Sequence, residues 1–397
     1  MKTTRHAAKK KAAKCVAALG TISVAIPALA TQGTFPHGYG VKAEGMGGVS
    51  IALPQDALVG ANNPAGMVAV GARLDLGAAL LKVDNGARFA GVDYDGSHDR
   101  SLYLIPQLGY NYMLRDDTSL GVSVVGNGVG TDYDNDANIG GIAGPRSELK
   151  QMVITTSLAH RLNDVHSVGL GLLLARQKLS IGGPAGLGLP QGTDESTGAG
   201  MTLGWIGQIT PALSLGATWS SKIDMGRMNE FDGLLPGKGD LNVPEHYGVG
   251  IGYRSGPLTL GADVLRINWS DVPALGNDGV TQVQPGKTPG FGWKDQTVWR
   301  VGVAYALNEA LTLRAGYSHG TQILDRRDTF LGVLAPSANR RHYTVGASWL
   351  LAKDKELSFA YAKSLKERVD GSGPAPDGIT DPYMGQHWLS ASLGIRF

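Results

Sequence analysis

The sequence predicts an all-β protein, a transmembrane antiparallel β-barrel of about fourteen strands with an N-terminal hatch (plug) inside the lumen. Three observations carry this. Apolar residues alternate with small or polar ones at a period of two over most of the chain, tight turns alternate with long connections, and a glycine-rich segment without periodicity precedes the first strand.

The first thirty residues read as an address. Lys2, Arg5, Lys9, Lys10, Lys11 and Lys14 form a basic head, an apolar stretch runs from Cys15 to Leu29, and Ala28-Leu29-Ala30 places small residues where signal peptidase cuts. Residues 1–30 are therefore expected to be a signal peptide, with the mature chain starting at Thr31. A membrane anchor fits less well, because the apolar run is shorter than a bilayer and broken by Pro27. Lipoprotein processing fits less well still, since Cys15 precedes the run.

This segment holds six of the 36 basic residues, leaving 30 against 34 acidic ones, a mature net charge of about −4. Mild acidity argues against nucleic acid as a partner. The single cysteine leaves with the signal, which excludes disulfides, thiol catalysis and cysteine-bound metal. What remains is too long for one ordinary globular core and normal for one large barrel. Glycine is abundant, 58 residues, without a collagen period.

The alternation is clearest at the C-terminus, where His387, Leu389, Ala391, Leu393, Ile395 and Phe397 share one face and Gln386, Trp388, Ser390, Ser392, Gly394 and Arg396 the other. It recurs as Tyr247, Val249, Ile251, Tyr253 against Gly248, Gly250, Gly252, and as Trp299, Val301, Val303, Tyr305 against Arg300, Gly302, Ala304. Strands are expected near 72–84, 101–114, 118–130, 148–162, 167–182, 198–209, 213–226, 244–254, 258–270, 294–307, 311–323, 340–351, 357–366 and 386–397. Tight turns such as Arg115-Asp116-Asp117, Thr210-Pro211-Ala212 and Asn308-Glu309-Ala310 alternate with long loops, the layout of periplasmic turns and external loops. Tyr112, Tyr253, Tyr305, Trp349 and Tyr361 point outward near strand ends, where amphipathic rings favour the headgroup boundary. A soluble sandwich would instead have an apolar inner face, whereas the inner face here is glycine, serine and alanine. A barrel this wide cannot be filled by its own small side chains and needs a plug.

Residues 31–71 contain nine glycines and supply that plug, with the barrel occupying 72–397. Phe35-Pro36-His37-Gly38-Tyr39-Gly40, Glu44-Gly45-Met46-Gly47-Gly48 and Asn62-Asn63-Pro64-Ala65-Gly66 resemble the hatch of the FadL/TodX outer-membrane transporter family, whose signature is the Asn63-Pro64-Ala65 step. Leu120-Gly121-Val122-Ser123 running into Asn127-Gly128-Val129 resembles that family's kinked third strand. Ser221-Lys222-Ile223-Asp224, Leu241-Asn242-Val243-Pro244-Glu245 and Trp293-Lys294-Asp295 resemble segments of its later strands. The terminal Phe397 resembles the barrel-assembly signal of outer-membrane proteins.

The resemblance implies a monomeric outer-membrane channel for long-chain fatty acids or aromatic hydrocarbons. Its partners would be the cargo, outer-membrane lipid and lipopolysaccharide, and the barrel-assembly machinery. It further implies capture by external loops, an interior pocket to which Phe35, Tyr39 and Lys294 contribute, and sideways release at the kink Gly126-Asn127-Gly128, without ATP, cofactor or metal. In the fifth strand Ile181 stands where fatty-acid members carry a second cation, so Lys294 is expected to be alone. The kink has its own physical reading, since an asparagine between glycines is a poor strand former that favours a bulge or bend. An early strand end at the external surface is the plainer alternative.

Other motifs fall away on their context. Asp132, Asp134, Asp136 and Asn138 copy the first positions of a calcium loop, but Ala137 and Ala143 replace its glycine and its glutamate. Gly126-Asn127-Gly128-Val129-Gly130 and Gly248-Val249-Gly250-Ile251-Gly252 mimic nucleotide loops without the helix that must follow. Ser147 and Lys150 have a catalytic spacing only on a helix. His160 and His387 have no serine-centred motif beside them, so an outer-membrane lipid hydrolase is a rival without catalytic residues. A general diffusion porin is the nearer rival, and it would lack the plug.

Overall fold

The computed structural model describes residues 32–397, and the signal-peptide reading lies outside them. Fourteen long strands form one antiparallel ring: β1 Arg73–Phe89, β2 Leu102–Arg115, β3 Thr118–Asp132, β4 Arg146–Arg161, β5 His166–Gly182, β6 Gly192–Gln208, β7 Leu213–Ser220, β8 His246–Ser255, β9 Leu258–Ile267, β10 Gln296–Ala306, β11 Leu311–Gly320, β12 Arg341–Ala352, β13 Lys355–Arg368 and β14 Thr380–Arg396. Each pairs with its sequence neighbours, and β1 pairs with β14 from Arg73↔Arg396 to Phe89↔Thr380, closing the ring. No described helix is long and apolar enough to cross a membrane, and the crossing elements are strands.

The alternation sets the two faces. Leu76, Leu80, Leu120, Leu158, Leu172, Val249, Val301, Val345 and Leu389 are all at least 40% exposed, while Gln107, Ser123, Thr155, Ser214, Arg300, Ser348 and Ser390 are buried inside. This inverts a soluble protein, as expected where the outer solvent is hydrocarbon.

Short turns and long connections alternate as the sequence implies, but several strands end elsewhere. β7 stops at Ser220 where the alternation suggested 226, and only the two-residue strand Asp224–Met225 resumes beyond it. There the chain leaves the wall, Ile223 pairing with Val243. β6 begins at Gly192 and β14 at Thr380, both earlier than expected, because each keeps a full ladder with a longer neighbour, β5 and β1. Beyond Lys82, β1 pairs with a short extra strand, Val92–Asp95, in place of β2.

Candidate functional site: the inner segment and the gap in the wall

Residues 32–71 form only single helical turns, including Val41–Glu44, Ala57–Ala61 and Met67–Val70, and they hold to strands on every side of the ring. Asp263 of β9 accepts hydrogen bonds from the backbone of Ser50 and Ile51 at 2.8 and 3.1 Å. Ser123 of β3 donates to the Ala57 carbonyl at 2.7 Å, and Thr344 of β12 accepts from Gly47 at 2.8 Å. Lys42 pairs with Glu356 of β13 at 2.7 Å, both largely buried. A segment bound to all sides of a closed ring lies within it.

The glycines of the inner wall make this fit. A Cβ on Gly216 would come within 2.4 Å of the Ile51 carbonyl, on Gly302 within 2.4 Å of the Met46 carbonyl, and on Gly316 within 2.1 Å of the Gly47 nitrogen. The glycine face that reads in the sequence as an empty lumen is the surface against which residues 46–53 pack.

Asn63 is the strongest anchor. Fully buried, it donates through Nδ2 to the carbonyls of Ile51, Trp205 and Ala217 at 2.8, 3.1 and 3.3 Å, while its Oδ1 caps the turn at Ala65. Pro64 sits at the start of that turn with no N–H to leave unsatisfied. A Cβ on Gly204 or Gly169 would strike Asn63 Oδ1 at 2.0 Å or the Ala65 nitrogen at 2.3 Å, so the Asn63-Pro64-Ala65 step needs bare backbone on β5 and β6.

The ladder between β2 and β3 is incomplete. Their ladder runs from Arg115↔Thr118 only to Leu108↔Val124, although β3 stays paired to β4 as far as Asp132↔Arg146. From Val125 onward every residue of β3 is buried whichever way it points, so this half of the strand has left the lipid surface. Its freed backbone finds other partners: Gly128 donates to the Thr34 carbonyl at 2.9 Å, Asp132 to Gly96 at 2.7 Å, and the Gly130 carbonyl accepts from Asn85 at 2.8 Å. This meets the rule that backbone in a membrane wall must be satisfied by protein. Pro106 lies in the stretch of β2 without a β3 partner. Proline within a strand pattern is an edge signal that sequence reasoning passed over.

Phe35 and Tyr39 stand behind the gap. Tyr39 donates a 2.5 Å hydrogen bond to Asn127 Oδ1, and Phe35 packs its ring against His246 and Trp269 at centroid distances of 5.1 and 5.2 Å. Both residues line two cavities of about 30 Å³, one bordered by Val125, Asn127 and Leu173, the other by Ser50, Thr218 and Arg300. A third cavity of about 50 Å³ lies on the long-loop side, bordered by Ile181, Leu235, Leu275, Phe291, Trp293 and Leu334. Phe35, Tyr39 and Gly126-Asn127-Gly128 are thus brought together. Lys294 is not among them, being half exposed and paired with Asp325 at 3.5 Å. The buried cation beside the inner cavity is Arg300, which reaches the Gly48 carbonyl at 3.2 Å and Gln32 at 3.0 Å. Its inward register on β10 was visible in the alternation, but its nearness to Phe35 was not.

The inner segment also buries charge. Among the described residues no cation pairs with Glu44, which accepts from Gln107 at 2.5 Å, Trp388 at 3.2 Å and Ser390, and burial pushes its carboxyl up to about 7. Burial, then the neighbouring Asp75 carboxylate, raises Asp56 to about 6. Burial and the Arg300 charge depress His37 to about 3, so it stays neutral at physiological pH.

No group of three or more histidine, cysteine or acidic side chains among the described residues is placed to hold a metal. Asp132 pairs with Arg146 at 2.6 Å. His160 contacts Thr118 at 2.9 Å and His387 contacts Tyr361 at 2.7 Å, neither joined to a serine.

A closed fourteen-strand ring around its own N-terminal segment invites comparison with known barrels. The family model described as outer membrane protein transport protein (OMPP1/FadL/TodX) matches residues 30–375. The chain belongs to this family. As a member of the FadL/TodX family it is an outer-membrane transport protein, and solved structures agree on the fold. The Pseudomonas putida toluene transporter TodX superposes with a TM-score of 0.73 at 21% identity, over 91% of this chain and 99% of that one. A Pseudomonas aeruginosa FadL homologue gives 0.67 at 16% identity over 94% and 100%. The Ralstonia pickettii toluene transporter TbuX gives 0.67 at 18% over 91% and 99%. Among curated proteins none matches significantly.

Proposed function

We propose that this FadL/TodX family member is a passive, non-enzymatic channel for hydrophobic small molecules, long-chain fatty acids or aromatic hydrocarbons, which it releases sideways through the gap between β2 and β3. The observation that carries this reading is the early end of the β2–β3 ladder at Leu108↔Val124 beside cavities lined by Phe35, Tyr39 and Asn127. In this reading the external loops collect cargo at the apolar cavity around Trp293 and Phe291. The cargo then moves past Thr34 and Phe35 to the cavity behind Asn127. Residues 31–71 act as the hatch. Cavities of this size hold a few water molecules, well below the ~300 Å³ or more of a typical ligand site, so passage requires Phe35 and Tyr39 to move aside.

Transport needs no energy source because the bilayer is the favourable resting place of such cargo, by about 0.8 kcal/mol per buried methylene. The polar sugar layer outside is the barrier to be crossed. The deciding test replaces Gly126, Asn127 and Gly128 by valine, threonine and valine, which favour a straight, paired strand. The variant is expected to fold and insert while uptake of hydrocarbon or fatty acid falls at least tenfold. Unchanged uptake would rule out the lateral path and point to release at the periplasmic end. Mass spectrometry of ligands extracted with the protein then distinguishes the two cargo classes.

A further inference from the structure

Beyond transport, the outward face carries a row of groups that the channel does not use. Reading across the ladders, Tyr343 of β12 stands opposite Lys363 of β13, Lys363 opposite His387 of β14, and His387 opposite Lys82 of β1. All four are exposed on the lipid side. The row one step nearer the membrane centre is Val345, Tyr361, Leu389 and Leu80 in the same register. The cations therefore begin where the apolar belt ends, on the side of the long loops.

Most cations elsewhere on the outer half of the wall are neutralised within the protein, Arg88 at the far end of β1 being an exception among the described residues. Arg176 pairs with Glu195 at 2.5 Å, Lys150 with Glu148 at 2.8 Å, Arg266 with Asp295 at 2.9 Å and Arg341 with Glu367 at 2.8 Å. Even the basic residues just above the row are matched, Lys366 by Asp84 at 3.0 Å and Arg368 by Asp93 at 3.3 Å. Among the described residues, Lys82 and Lys363 form no ion pair within 4.0 Å. The two unmatched ammonium groups flank one imidazole on adjacent strands, so a single anion above His387 would meet both.

We propose that Lys82, His387 and Lys363 form a phosphate-binding site on the outer wall, and that its ligand is a phosphorylated headgroup of the lipopolysaccharide in the surrounding leaflet. Lys82 and Lys363 are two strand spacings apart, roughly 10 Å, within the combined reach of two four-carbon arms closing on one phosphate above His387. The Tyr361 hydroxyl engages His387 Nδ1 at 2.7 Å, which leaves Nε2 for an acceptor. The row of Leu80, Leu389, Tyr361 and Val345 beneath accepts acyl chains while the lysines hold the sugar phosphate, so the site matches both halves of that lipid.

The test places the mature protein in phosphatidylcholine nanodiscs with lipid A and counts lipid A retained per barrel by native mass spectrometry. The wild type is expected to retain one lipid A tightly. The double variant Lys82→Gln, Lys363→Gln is expected to bind it roughly thirtyfold more weakly, the loss of two surface cations facing an anionic headgroup. Lys178→Gln, which removes a cation already beside Glu195, is expected to bind as wild type. Unchanged retention by a double variant with an intact heat-sensitive gel shift overturns the proposal. So does equal binding of dephosphorylated lipid A, or displacement of lipid A by inorganic phosphate at the same concentration, which would make the site one for the free ion.

Discussion

The Tyr39 hydroxyl donates a 2.5 Å hydrogen bond to Asn127 Oδ1, joining the inner segment to the stretch of β3 that has lost its β2 partner. Tyr39 is also held from below, since Asn62 Nδ2 donates to its backbone carbonyl at 2.9 Å. A single side-chain bond thus spans the line that cargo would follow.

Replacing Tyr39 by phenylalanine removes that bond and little else. A hydrogen bond of this kind contributes about 1 kcal/mol net. Transient opening, read as single-channel events in planar bilayers, should rise about fivefold, with hydrocarbon uptake equal to or above wild type. Slower uptake would show that the bond positions cargo and does not restrain the segment.

Asn63→Ala attacks the anchor. Three backbone carbonyls, that of Ile51 buried and those of Trp205 and Ala217 partly so, lose their donor, at about 1–3 kcal/mol for a buried one left unsatisfied. The barrel should still shift on gels before and after boiling, because its ladder is intact, while protease added to the purified protein should cut within residues 31–71 faster than in wild type. Gly204→Val should reproduce the effect from the other side, by occupying the space of Asn63 Oδ1.

Glu44 makes seating of the segment sensitive to pH. Its carboxyl is raised from an ordinary value of 4.5 to about 7 by burial, so the seated state prefers the protonated acid. That preference is fully present below about 4.5 and is lost as pH rises through 7, a swing of at most about 3 kcal/mol. His37, depressed to about 3, acts in the opposite sense, its contribution present above 6.5 and lost as pH falls. The ratio of opening in wild type to opening in Glu44→Gln removes the histidine from the comparison. It should climb between pH 5 and pH 8, and a flat ratio would show that Glu44 stays protonated or stays seated throughout.

Deleting residues 32–71 should leave a β-rich barrel with large ohmic conductance, since the glycines and serines behind them cannot fill the ring. Intact protein that already conducts like a porin would refute the hatch reading.

Much of the barrel is written locally. Each strand of a lipid-facing wall meets two different solvents, so every strand carries its own record of inside and outside, and the alternation at His387 to Phe397 or Trp299 to Tyr305 needs no knowledge of its neighbours. Turn chemistry is local too, which is why the short and long connections were legible. The bend at Gly126-Asn127-Gly128 was legible as a poor strand former, but not as the place where a ladder ends.

The tertiary structure alone decided the pairings. Tyr39 and Asn127 are 88 positions apart, and Glu44 and Ser390 are 346 apart, so no periodicity within one segment can report that they meet. The same holds for the inner glycines, whose pattern reads as a hole until residues 46–53 occupy it, and for Lys294, which its motif suggested for the pocket and which points to Asp325 instead. Alternation is a property of one strand in its solvent. Burial of a charge, loss of a ladder partner and closeness across a lumen are properties of pairs, and only the closed ring sets which pairs form.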